Sequence, residues 1–329
     1  MTLEVGASIG ISRFPIDGED VHSLLRRADV AMYAAKDEHV AHQLYSAKLD
    51  HHSVRRLTVL TDFRRALESD EFVVHYQPIV DIPGSRPCGA EGLVRWEHPE
   101  LGLLAPSHFI PVAEQSGLIG PLTRHVLERS IAQCAGWRRD GRDLSVAVNL
   151  SVRDLMDLEL PRQVERMLDE HHLAPDALQL EVTESMLMSD PDRALATVVR
   201  LREQGIRVAV DDFGTGYSSL ANLKRLPINE LKIDRSFISP LLSDESDLII
   251  VRSTINLGHD LGLTVIAEGV EDELTLKRLE MLGCDLAQGY HLSRPLAPGA
   301  FDDWIGRAEE RGGDAVGEPE AADAAAAIA

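Results

Sequence analysis

Cysteine is nearly absent: the 329 residues include three, Cys88, Cys134 and Cys284. They lie far apart and form no CxxC pair, which argues against a disulfide scaffold or a cysteine zinc site and fits reduced thiols in a cytosolic protein. Basic residues are also short, 33 against 54 acidic ones, for a net charge of −21. That deficit argues against a binder of duplex DNA or RNA, which needs a basic face for the phosphates. A small phosphate ligand stays open, because metal ions can neutralise a local acidic site. No apolar run approaches the roughly 18–20 residues that span a bilayer, and no signal peptide opens the chain. The expectation is a cytoplasmic chain without membrane contact of its own; any anchor of a parent protein would lie upstream.

What is present is a sizeable core, with 44% hydrophobic residues, and a strongly periodic middle. Residues 1 to about 48 read as a short α/β piece: a strand over Val5–Phe14, a turn at Pro15-Ile16-Asp17-Gly18, and a helix over Asp20–Lys36 with Val21, Leu24, Leu25, Ala28 and Met32 on one face. So few elements cannot close a core of their own. A helix from about Ser53 to Glu68 follows, its stripe marked by Leu57, Leu60, Phe63 and Leu67. From Glu71 onward, eight strand-like runs alternate with helical ones: FVVHYQP, EGLVRW, SVAVNLS, LQLEVTE, RVAVDDF, ELKID, TVIAEGV and LAQGYHL. Repeated βα units without a glycine-rich dinucleotide loop favour a (β/α)8 barrel over a Rossmann sheet. Beyond about Arg307 the pattern fails, and the acidic, Ala-rich end reads as a disordered tail over 307–329.

The most informative stretch is VAVDDFGTGYSSL, where an apolar run ends in Asp211 and Asp212 and a glycine-flanked turn follows. Paired carboxylates on a strand leading into a loop suit hard divalent cations, which favour oxygen ligands. The other strands also turn polar toward their ends: Gln77, Asn149, Glu181 with Glu184, Lys232 with Asp234, Glu268 with Glu271, and Gln288, while the second strand carries Glu91 and Arg95. Singly, each has a bland explanation: a solvated strand end, a turn former, a helix cap or a surface lysine. Together, on strands whose ends converge on one face of a barrel, they describe a site for chemistry at a phosphoryl group.

These residues fall in motifs that resemble the EAL domain family: YQPIVD (76–81), EGLVRW (91–96), FIPVAEQSGLI (109–119), VNLS (148–151), EVTES (181–185), DDFGTGYSSL (211–220), LKID (231–234), AEGVE (267–271) and QGYHLSRP (288–295). The resemblance covers about Arg56 to Trp304 and implies a domain over 49–306: a barrel with an irregular first strand that hydrolyses cyclic di-GMP to linear pGpG. It implies two Mg2+ or Mn2+ per site, one held by Glu91, Asn149, Glu181 and Asp211, the other by Asp211, Asp212 and Glu268. Lys232 and Gln288 would hold the attacking water. Gln77, Leu93, Arg95, Asp234 and Tyr290 would meet the nucleotide. Glu184 would tether the Gly214–Ser219 loop, near which a homodimer would form, and Glu271 would support the site from behind. Gly92 stands where the family most often has Ala, a change expected to be tolerated, and Arg294 where it often has Lys. Residues 8–36, with Phe14-Pro15, Ala28-Asp29 and Met32–Lys36, resemble the closing part of a GGDEF domain, so 1–48 is expected to be a remnant of one, without cyclase chemistry. Two other readings compete: a degenerate EAL receptor that binds cyclic di-GMP without cutting it, and an unrelated barrel enzyme using Lys232 as a Schiff base. Degenerate members lose site residues, and none is lost here; a Schiff-base lysine needs desolvation, not a ring of acids.

Overall fold

The computed structural model describes residues 8–37, 41–215 and 225–310. The chain divides into two compact units, Met1–Ser69 with Ser107–Ser116, and Asp70–Pro106 with Gly117–Ala329.

In the first unit, β1 (Ile9–Ile11) and β2 (His42–Leu44) pair in parallel, and α1 (Val21–Asp37) crosses between them. Gly10 sits so close to α1 that a Cβ there would lie 1.9 Å from the Ala28 carbonyl oxygen. Of the strand expected over Val5–Phe14, the described residues show β1, and Val5–Ala7 lie outside them. The apolar face of α1 also differs from expectation. Ala31 and Ala35 are buried, whereas Val21 and Leu25 stand exposed. The next helix, α2 (Ala47–Glu68), begins before Ser53. It buries Val59, Phe63 and Ala66, at the i, i+4, i+7 spacing of one helix face, and leaves Leu60 45% exposed. The Leu57 side chain lies outside the described residues. Phe63 meets Phe109 with ring centroids 6.4 Å apart, next to the short helix α3 (Ile110–Ser116).

The second unit is an α/β barrel. Strands β3 (Phe72–Asp81), β4 (Arg86–His98), β6 (Ser145–Asn149), β7 (Leu178–Thr183), β8 (Arg207–Phe213), β9 (Glu230–Ile233), β10 (Thr264–Ala267) and β11 (Leu286–Ala287) close a ring in the order β3-β4-β6-β7-β8-β9-β10-β11. All eight expected strands are there. The irregularity of the first is its direction: β3 runs antiparallel to both neighbours, β4 and β11, while every other junction is parallel. β4 is the longest, and its outer end carries a short antiparallel partner, β5 (Gly102–Leu104).

Helices cover the outside because their apolar stripes need the outward-facing Val, Leu and Ile of the strands. In α4 (Ile119–Arg139), Leu122, Val126, Ile131 and Cys134 are buried. Helices Pro191–Glu203, Glu245–Asp260 and Glu273–Met281 start at Asp190, Asp244 and Asp272, whose carboxylates accept backbone N–H bonds of the first turn. The last helix, Pro298–Glu310, runs past Arg307; its Phe301 packs on Trp137 (centroids 4.8 Å apart), which in turn meets Tyr76 of β3 edge-on at 5.0 Å. Residues 311–329, read from sequence as part of a tail, lie outside the described residues. Among the described residues no helix is long and apolar enough to cross a membrane.

Candidate active site

Strand alternation carries the site. Side chains two apart share a face, so Glu91, Leu93 and Arg95 of β4 line up, opposite Gln77, His75 and Val73 of β3 in register. Gln77 and Glu91 are thus not strand-end residues: both sit inside long strands and are buried. Asn149 and Glu181 are register partners on β6 and β7.

Asp211 and Asp212 pose a geometric problem. Neighbours on a regular strand point to opposite faces, so two consecutive acids cannot both reach one ion. The pairing of β8 with β9 is irregular between Val210 and Phe213, and Asp212 adopts φ +53°. That left-handed residue, which Asp tolerates better than most, kinks the strand. The carboxylates of Asp211, Asp212 and Glu268 consequently bring oxygens within 4.8 Å of one another.

Lys232 stands at the centre, fully buried. Its Nζ donates to Glu181 Oε2 at 2.7 Å and lies 2.5 Å from Glu268 Oε1, 3.6 Å from Asp211 Oδ1 and 3.9 Å from Glu91 Oε2. Amides complete the ring. Asn149 donates to Glu91 Oε1 (2.5 Å), and Gln288 donates to Glu91 Oε2 (2.6 Å) and to Gln77 Oε1 (3.1 Å). Gln77 donates onward to the Ser293 carbonyl at 3.1 Å.

Crowding of acids in a buried place disfavours their charged forms. Burial, then the neighbouring Asp211 and Glu91, push Glu268 up to about 8 despite Lys232. Glu181 is raised as well, by burial first. Burial, then Asp211 and Asp234, push Asp212 up to about 6. Lys232 goes the other way from a Schiff-base lysine: burial opposes its charge, but Glu181, Glu268, Glu91 and Asp211 outweigh burial and hold its pKa well above the ordinary value. An amine held toward its charged form in this way is a poor nucleophile.

The remaining expected residues are placed unevenly. Glu184, buried at the start of a short helix, accepts the Gly214 N–H at 3.3 Å; Gly216–Ser219 of that loop lie outside the described residues. Asp234 caps the short helix that follows it, its Oδ1 accepting the Ser236 N–H at 3.0 Å. Arg95 is half-buried and donates to its neighbour's carbonyl, Val94 O, at 2.8 Å. Tyr290 is half-exposed under the Arg294 guanidinium, 4.3 Å from the ring centroid. Glu271 is exposed rather than packed behind the acids. One buried residue escaped the sequence reading: Gln179, whose Nε2 donates to Glu181 Oε1 at 3.4 Å. Its signal was its position two before Glu181, hence on the same face of β7.

Clustered carboxylate oxygens, those of Asp211, Asp212 and Glu268 above all, are the hard donors that a divalent ion requires, so the residues fit such an ion. Comparisons with known proteins agree on the family. The family model described as EAL domain matches residues 60–295. The chain is 43% identical over 296 residues to MucR of Pseudomonas aeruginosa, named as a bifunctional diguanylate cyclase/cyclic di-GMP phosphodiesterase; the match covers 89% of this chain and 43% of that protein. It is 37% identical to the cyclic di-GMP phosphodiesterase PdeR of Escherichia coli, over 91% of this chain and 45% of PdeR. The chain thus spans less than half the length of these relatives. The solved structure of the PaMucR phosphodiesterase in complex with c-di-GMP superposes with a TM-score of 0.72 at 44% identity, over 74% of this chain and 99% of that one. With the family model spanning most of the chain and these relatives on the same barrel, the chain belongs to the EAL domain family.

Proposed function

We propose that this chain hydrolyses cyclic di-GMP to linear pGpG with the help of two Mg2+ or Mn2+ ions. The observation that carries the reading is the convergence of Glu91, Glu181, Asp211, Asp212 and Glu268 with Lys232, Asn149 and Gln288 in one place. The names of the relatives MucR and PdeR, and the c-di-GMP complex of PaMucR, support the substrate.

Glu91, Asn149, Glu181 and Asp211 would hold one ion, and Asp211, Asp212 and Glu268 the other. Bound there, the ions supply charge neutralisation at the phosphate and a more acidic water. The chain's own residues do the rest. The Lys232 ammonium, held charged, orients the attacking water and faces the growing negative charge rather than taking up a proton. The Gln288 amide positions the same water. Arg95 suits a phosphate oxygen of the substrate, and Gln77, Leu93 and Tyr290 line its path. The water oxygen bonds to phosphorus as the P–O3′ bond breaks in line, the proton the water gives up passes through solvent to the leaving 3′ oxygen, and the ring opens to pGpG.

Residues 1–48 fit the closing part of a GGDEF domain, in keeping with the cyclase in MucR's name, and the barrel face near Gly214 would carry a homodimer contact. The test of the main reading is incubation of the purified chain with cyclic di-GMP and Mg2+ or Mn2+, followed by chromatography. The expected result is pGpG, abolished by a chelator. Binding without cleavage would establish the receptor instead, and neither binding nor cleavage would end both readings.

A further inference from the structure

We propose that the Lys232 ammonium is a tethered cation that occupies the carboxylate cluster of the metal-free protein and competes there with divalent ions. The inference rests on the metal-dependent reading of the site and deepens it.

The geometry is specific. Lys232 reaches from β9 to Glu181 on β7 and to Glu268 beyond β10, at 2.7 and 2.5 Å, with Asp211 and Glu91 inside 4 Å. Four acids from four segments thus share one positive charge. Without it they would be close, largely buried and mutually repelling, which is costly. The rest of the ring is closed as well. Glu181 Oε1 takes the Gln179 amide, and the two oxygens of Glu91 take Asn149 and Gln288. Both oxygens of Glu181 and of Glu91 therefore already accept from a neighbour. A divalent ion arriving at Glu181 Oε2 meets the Lys232 ammonium 2.7 Å from that oxygen and competes with it there. Asp212 is different: it lies outside the lysine's ion pairs, on the kinked end of β8. Entry is thus easiest from the Asp212 side, and the Glu181 side opens only as Lys232 gives way. The same lysine would then be released toward the water it orients, so that metal loading and lysine placement are one event.

The sequence makes this measurable. The chain has only five lysines, Lys36, Lys48, Lys224, Lys232 and Lys277, so a spectrum of the full chain labelled with 13C at lysine Cε is sparse, and the Lys232→Arg variant identifies the Lys232 resonance. On titration of the wild-type chain with Mg2+, that resonance should move with the midpoint of metal binding measured by calorimetry. In parallel, Lys232→Met should lower the melting temperature in chelator and bind Mg2+ and Mn2+ at least about tenfold more tightly than wild type, because the competitor is gone. Lys232→Arg, which keeps the charge, should stay within about threefold of wild type. A Lys232 resonance that stays put while calorimetry shows the metal sites filling would overturn the proposal and leave the metal reading intact. So would a folded Lys232→Met chain with unchanged or weaker metal affinity. If calorimetry shows no Mg2+ or Mn2+ binding to wild type at all, the metal reading falls, and this inference with it. Should Lys232→Met fail to fold, the wild-type titration alone decides.

Discussion

Protonation of the site should set how tightly it takes metal. Glu268 is pushed up to about 8 and Asp212 up to about 6, chiefly by burial and then by neighbouring acids. A divalent ion needs both as carboxylates, so binding must expel whatever protons they hold. One proton displaced costs about tenfold in apparent affinity for each pH unit below its pKa. From pH 8 to pH 6 the affinity for Mg2+ should therefore fall about a hundredfold, and more steeply below pH 6 as Asp212 adds a second proton. The metal-free fold should respond in the opposite sense. A folded pKa above the unfolded value means that the folded state holds the extra proton between about pH 4.5 and 8. That stabilisation is complete below the window and is lost as pH rises through it, at up to about 1.4 kcal/mol per unit for one site. The assays are calorimetric titration with Mg2+ and melting in chelator, both from pH 5 to 8.5, on wild type and on Glu268→Gln. The wild-type melting temperature should decline relative to that of Glu268→Gln as pH rises. Metal affinity that is flat between pH 6 and 8 would refute the reasoning, as would identical pH slopes for the two proteins.

Other outcomes follow from the same contacts. Glu91→Gln should cut hydrolysis by at least about a hundredfold with little loss of stability, whereas Glu91→Ala should also lower the melting temperature, because buried Gln288 loses an acceptor at about 1–3 kcal/mol, the exposed Asn149 losing its partner at little cost; equal melting of the two variants would contradict this. Gly92→Ala places a Cβ 2.7 Å from Ser130 Oγ and 3.3 Å from Val74 Cγ1. It should cost about 1–2 kcal/mol by denaturant unfolding, and most of that should return in Gly92→Ala/Ser130→Ala; a double variant no better than the single would show that Ser130 is not the obstacle. Glu184→Ala removes the acceptor of the Gly214 N–H, so that amide should exchange its hydrogen faster and hydrolysis should fall with it; normal exchange at Gly214 would dissociate Glu184 from the loop.

Much of this protein is legible in its sequence because the controlling forces are local and periodic. Each strand of the barrel is a short apolar run that no helix period fits, and the polar groups stand out because each interrupts a run otherwise built to be buried. Other features are absent from any local pattern. Strand direction is one: FVVHYQPIVD would read the same in a parallel β3, and only closure of the ring against β4 and β11 turned it antiparallel and put Gln77 beside Glu91. Helix faces are another: in α2 the expected stripe and the buried face share Phe63, but tertiary packing also buried Val59 and Ala66 and left Leu60 exposed. At Asp211-Asp212 the sequence names the acids but makes them neighbours, which a regular strand would hold apart; the irregular β8–β9 pairing and the left-handed Asp212 brought their oxygens together. Lys232 makes the same point most sharply. Its residue type was read from the sequence, but its charge and its partners come from Glu181, Glu268, Asp211 and Glu91, contributed by four other segments. The sequence determined which groups line the barrel, through patterns that repeat every second residue. The tertiary structure decided which of them share a proton, a hydrogen bond or a cation, because those depend on distances between strands that are far apart in the chain.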